Sequence, residues 1–192
     1  MPAILIASLV AVGLVAALAT TVRDHTSLDD DGNVVPADIQ AMAARAGVSV
    51  PVLALARVGA SEAGGYPRIA KAGVMWVVVN EANRRRSTAL DVILGSASTF
   101  GHQGTGGRGF VASSRDAGAV DYDVADQVDS GVQADPTGGA LHFDSPGAYK
   151  DSDTLTAQER ADNFAAARMG EGFRLVTLDG VPEKAFRFWG RA

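Results

Sequence analysis

Leu55-Ala56-Arg57-Val58-Gly59-Ala60-Ser61-Glu62-Ala63-Gly64-Gly65-Tyr66-Pro67 runs from an apolar helical segment through one carboxylate into a glycine turn. Val52, Leu55, Ala56, Gly59 and Ala63 recur at helical spacing and predict a packing face. Ser49 caps the segment and Pro51 lies in its first turn, so the helix runs to about Ala63. Glu62 thus stands at the end of a core-facing helix, placed to reach the mouth of a cleft from an apolar side. Burial raises a carboxyl pKa, and an acid that keeps its proton near neutral pH can give it to a leaving oxygen.

Working outward, Pro36 opens a short helix, Ala37 to Ala46, stopped by Gly47. Beyond the Gly64-Gly65-Tyr66-Pro67 turn, Arg68 to Arg85 reads as a long helix, apolar nearly all round between Ala72 and Val79. Trp76 belongs to that core. Val77-Val78-Val79 favours a strand on propensity alone, but the length of the segment and its lack of breakers favour helix. A short helix follows from Leu90 to about Leu94. Ser96 to Arg108 is a Gly, Ser and Thr-rich loop carrying Phe100, His102 and Gln103, the kind of loop that presents binding residues on a rigid scaffold. Tyr122 to Val132 reads as a helix, Asp135-Pro136-Thr137-Gly138-Gly139 as a turn, and Ala140 to Phe143 as a short strand. Thr156 to Met169 is a helix opened by a Thr156/Glu159 capping box. Phe173 to Leu178 and Ala185 to Trp189 then alternate like a hairpin across Asp179-Gly180. The fold class expected is α+β, mostly helical, with a small antiparallel sheet.

The 192 residues suffice for one catalytic domain, and 47% apolar with 20% charged content is globular. A net charge of -5 supplies no basic field for nucleic acid. With no cysteine, disulfides, thiol nucleophiles and thiolate metal sites are excluded. His25, His102 and His142 form no short-spaced metal pattern, and no metal or cofactor is expected. Ala3 to Val22 carries no charge and is close to the ~20 residues that cross a bilayer. It reads as a membrane anchor, as a signal cleaved near Ala17-Leu18-Ala19, or as a buried helix. The organisation expected is an anchor or signal over residues 1–22, a polar linker over 23–35 and one domain over 36–192. Asp29-Asp30-Asp31-Gly32-Asn33 in the linker does not match a calcium loop, because Ser27 and Asp38 fall at its first and last ligand positions.

Met42 to Ser49 followed by Leu53 to Val58 looks like a helix-turn-helix. Its second helix opens with Val50, Pro51, Val52 and Leu53, which cannot read base edges. The same stretch resembles the opening of lysozyme-like and lytic transglycosylase domains. Leu55-Ala56-Arg57, Glu62-Ala63, Gly65-Tyr66-Pro67, the apolar helix ending in Asn80, Thr99-Phe100 and Asp135-Pro136-Thr137-Gly138-Gly139-Ala140-Leu141 occur in an order that resembles the SleB-type cell wall hydrolase family. The similarity spans roughly Leu53 to Pro146 and extends more faintly to Trp189. The chain departs from that pattern at Asn80-Glu81, where Asn-Arg is frequent, and at His142, where Tyr is frequent.

The resemblance implies a lysozyme-like domain acting on peptidoglycan, with Glu62 as the catalytic acid. It implies one-acid chemistry, in which the Glu62 carboxylate left after protonating the leaving oxygen takes the muramoyl 6-hydroxyl proton and a 1,6-anhydro ring closes. No second acid lies beside Glu62 in sequence; Asp116, Asp121, Asp123 and Asp135 are those the fold can bring near, as a two-carboxylate glycosidase needs. Substrate contacts are expected from Tyr66, Thr99, Phe100, Asp135, Thr137, Gly138, Gly139 and Phe143. Tyr66, Phe100 and Phe143 either stack on sugars or fill the core; Gly138 and Gly139 either make a tight turn or admit the glycan close to the backbone. The expected partners are peptidoglycan strands and, through residues 3–22, a membrane, with the domain facing the wall. A cellular enzyme, a phage endolysin and an ejected virion protein would use the same parts. A non-catalytic wall-binding or virion structural protein keeping the fold is the alternative.

Overall fold

The computed structural model describes residues 37–95 and 116–192. Residues 1–22, the linker 23–35 and the loop with Thr99, Phe100, His102 and Gln103 lie outside the described residues. Among the described residues, six α-helices and a three-stranded antiparallel sheet make a mostly helical α+β fold. The helices are α1 (Ala37–Ala46), α2 (Val50–Ala63), α3 (Arg68–Arg85), α4 (Ala89–Gly95), α5 (Ala119–Asp129) and α6 (Ala157–Gly170). The strands are β1 (His142–Asp144), β2 (Phe173–Val176) and β3 (Arg187–Arg191), in the order β1-β3-β2.

The second helix is the centre of the core. Ser49 accepts a hydrogen bond from the Val52 amide at 3.3 Å and starts it. Val52 through Ala60 are all buried, Arg57 included, because α2 packs against α1, α3, α4 and α5. A helix with no solvent face cannot serve as a groove-reading helix, which removes the physical basis of the helix-turn-helix comparison. Among the described residues no single helix is long and apolar enough to cross a membrane.

Glycines set how closely the layers approach. A Cβ on Gly59 would stand 2.2 Å from the Met75 methyl, so its absence lets α3 lie against α2. A Cβ on Gly73 would meet the Phe188 ring at 2.8 Å and Leu178 at 2.9 Å. Gly73 is therefore the seat on which β3 docks. Phe188 faces α3, whereas Arg187 and Trp189 face α6, as the two-residue period of a strand requires. The sheet lies between the helical core and α6.

Three elements differ from the sequence expectation. The helix expected over Tyr122 to Val132 is α5, beginning at Ala119 and ending at Asp129. Asp121 accepts the Gly118 amide at 2.9 Å and starts it early, and Gly131, at φ +73°, stops it. The strand expected from Ala140 begins at His142, because the Ala140 amide is taken by Thr137 Oγ1 at 3.1 Å. The last two strands do pair, but they end at Val176 and restart at Arg187. The chain between them turns twice, at Leu178–Val181 and Pro182–Phe186, burying Leu178, Val181 and Ala185. Strand β3 shows no alternation of burial because α3 covers one of its faces and α6 the other.

Candidate active site

A cleft of about 750 Å³ opens between the end of α2 and the sheet with α6. Ser61 and Glu62 from α2 and Val77 from α3 form one wall. Leu141 to Ser145, Tyr149 and Lys150, and three residues of α6 form the other. Glu62 is half-buried.

The Glu62 wall is held by close packing and one buried cation. Lys71 Nζ reaches the Gly64 carbonyl, just past the end of α2, at 3.3 Å and Asp121 of α5 at 2.5 Å. Lys71 and Asp121 are both buried, so this pair joins α2, α3 and α5 behind the catalytic candidate. Ala63, the residue after Glu62, is fully buried and fixes the last turn.

The opposite wall is built on Asp144. It faces Arg187 across the β1–β3 register. Its carboxylate accepts from Arg187 Nη2 at 2.5 Å and Nε at 3.2 Å, and from Trp189 Nε1 at 2.9 Å. Arg187 also donates to the Ala161 carbonyl of α6 at 2.8 Å, so one guanidinium ties two strands to the helix. Burial, reinforced by the Asp144 charge, pushes the Tyr149 phenol up.

Helix α6 presents Arg160, Phe164 and Arg168 to the cleft. Their spacing of four residues puts them in one row on the helix. Arg160 lies 5.6 Å from the centre of the Tyr149 ring, and Arg168 lies 5.2 Å from that of Phe164. Burial first, and then the Arg168 charge, hold the His142 imidazole below its ordinary range.

Of the residues expected from sequence, the cleft brings together Glu62 and Phe143. Tyr66 is exposed outside it, edge-on to Phe186 at 4.9 Å. The Asp135 loop also lies outside and is a self-capped turn. Asp135 Oδ1 accepts from the Thr137 amide and hydroxyl, each at 2.7 Å, and Oδ2 from the Gly139 amide at 2.7 Å and Asn80 at 2.9 Å. Burial pushes the Asp135 carboxyl up, but these donors outweigh it and hold it below the usual carboxylate range. Thr137 is buried, and Gly138 and Gly139 have φ of +60° and +92°, the left-handed region that favours glycine. Asn80 also donates to the Ala140 carbonyl at 3.1 Å, so the motif fastens the turn to α3. This arrangement gives the tight-turn reading of the two glycines a direct structural role.

None of the four aspartates named as second acids lines the cleft. Asp116 pairs with Arg57 at 2.9 Å, Asp121 with Lys71, Asp123 with Arg68, and Asp135 closes its own turn. The carboxylate that does face the cleft is Asp144, which the sequence reading passed over. It could be recognised only through its cross-strand partner, whereas the Arg160, Phe164, Arg168 row was visible as an i, i+4, i+8 pattern.

Comparisons with protein families, with curated proteins and with solved structures return no significant match.

Proposed function

We propose that this chain cleaves peptidoglycan glycan strands as a lysozyme-like enzyme, with Glu62 as its single acid and base. The observation that carries the reading is the position of Glu62: a half-buried carboxylate at the end of the central helix, opening into a cleft with aromatic side chains on its far wall. Phe143 offers apolar surface to sugar faces. Glu62 gives its proton to the glycosidic oxygen as the C1–O bond breaks. The resulting carboxylate takes the proton of the muramoyl 6-hydroxyl, whose oxygen attacks C1 and closes the 1,6-anhydro ring. No water enters the products.

Engagement of Asp116, Asp121, Asp123 and Asp135 elsewhere supports the one-acid route, as does the hold of Arg187 and Trp189 on Asp144. In this reading residues 3–22 hold the domain at a membrane facing the wall.

Mass spectrometry of the products from purified peptidoglycan tests the proposal. The expected products end in 1,6-anhydro-muramic acid, and Glu62→Gln lowers the rate by about 10²–10⁴-fold with unchanged circular dichroism, since the amide cannot supply a proton. Reducing ends that incorporate oxygen from labelled water would replace the transglycosylase with a two-acid muramidase. Binding without cleavage by the wild-type chain would make it a wall-binding protein. A folded Glu62→Gln variant with near wild-type rate would remove Glu62 as the acid.

A further inference from the structure

The cleft is chemically lopsided in a chain whose net charge is -5. Its α6 side carries Lys150, Arg160 and Arg168. The carboxylate nearest to them in the sheet wall, Asp144, is already matched by Arg187 and Trp189. Glu171 pairs with Arg168 at 3.0 Å, but it is half-exposed at the far end of the row. Neutral sugar rings need stacking surface and hydroxyl partners, not three cations, so the glycan alone leaves this side without an explanation.

The two arginines are held in a way that suits a carboxylate ligand. Tyr149 and Phe164 each lie within cation–π range of a guanidinium and fix its position. Each guanidinium carries a planar fork of N–H donors, the group that pairs with a carboxylate. Arg160 uses one Nη1 bond, at 2.8 Å, on the Lys150 carbonyl, which keeps Lys150 beside it.

We propose that Lys150, Arg160 and Arg168 form a subsite for the carboxylates of an acidic peptide substituent on the glycan. The proposal rests on the glycan reading of the cleft and assigns to the α6 side the choice between peptide-bearing and bare strands. Sugar rings lie along Phe143 and Glu62, and the peptide branch turns toward α6.

The test measures binding of full-length Glu62→Gln protein to three probes: solubilised strands that keep their peptides, the same strands stripped by an amidase with the lactyl carboxylates so freed capped as neutral amides, and the free acidic stem peptide. Peptide-bearing strands should bind about tenfold tighter than stripped ones, the effect of one charge-assisted hydrogen bond. The preference should shrink as salt rises. Lys150→Gln with Arg160→Gln should bring the preference close to one, and Lys150→Arg with Arg160→Lys should keep most of it. Lys150→Gln alone, at an exposed position, should give a partial loss where the double variant is misfolded. Equal affinity for both strands, a preference that survives the double variant in a folded protein, or no binding to any probe overturns the subsite. Cleavage without a peptide preference leaves the glycan reading and removes the subsite. Charge-dependent binding of the free peptide without binding or cleavage of strands keeps the subsite and removes the glycan reading.

Discussion

The two walls of the cleft are made differently. The Glu62 wall belongs to a helix buried from Val52 to Ala60 and packed through small residues, with Lys71 and Asp121 behind it. The Asp144 wall is a short strand held by one buried guanidinium shared among Asp144, the Ala161 carbonyl and the ring of Trp189. Apolar packing is spread over many contacts and loses a little with each change. A buried charge network concentrates its effect, so loss of one member strands the others. The first wall therefore spreads most of its hold over many packing contacts beside the Lys71–Asp121 pair, and the second depends on a few atoms.

Asp144→Ala should break that contrast most. It leaves Arg187 buried without its carboxylate, at a cost of about 3–5 kcal/mol by chemical denaturation. Hydrogen exchange should rise in β1, β3 and α6 before α2. Replacing both members, Asp144→Leu with Arg187→Met, should recover much of the loss, since a well-packed apolar pair removes the stranded charge. If the double variant is no better than the single, the wall is held by something other than this ion pair.

Gly73→Ala probes the seam between the walls. The added methyl meets the fully buried Phe188 ring, and overpacking of this kind costs about 1–3 kcal/mol. Gly59→Ala should cost less, because the atom in its way is the mobile end of Met75. Equal losses at the two sites would mean that Phe188 yields as readily as a methionine methyl.

Thr156→Ala removes the cap that starts α6, where the hydroxyl accepts the Glu159 amide at 3.2 Å. A loss of about 1 kcal/mol is expected, read as a shift in denaturant midpoint with unchanged slope. The effect should be confined to the Asp144 wall, and exchange rates in α2 should not move.

The smallest effect sharpens the electrostatic side of the comparison. His142 should titrate below 6.5 by NMR, because burial and the Arg168 charge both disfavour its charged form. With its folded value depressed, the unfolded chain binds the proton more readily. This group therefore lowers stability as pH falls through the unfolded value, and has no effect well above it. Arg168→Gln should move the midpoint part of the way back toward 6.5, and an unchanged midpoint would leave burial and the Arg191 charge as the causes.

What the chain announced by itself was local. Ser49 and Thr156 cap helices that begin where their side chains meet the backbone, and the bounds Arg68–Arg85 follow from a run without breakers. These signals lie within one or two turns of sequence, so no knowledge of the fold is needed. The errors fell where a distant partner decides. The start of β1 depends on the fastening of Ala140 by Thr137 and Asn80, and β3 lost its alternation because α3 covers one of its faces and α6 the other. The position of Glu62 was legible because the apolar spacing before it marks the end of a buried helix. Of the residues that face it, Phe143 was named from sequence and others were not, since Asp144, Lys150, Arg160 and Arg168 come to the cleft from segments brought there by the sheet and by Arg187. The Asp135 motif stood out in sequence, yet its carboxylate closes its own turn against Asn80. Local propensity is written residue by residue, whereas a cleft is made where separate segments meet, and only tertiary packing decides which side chains share it.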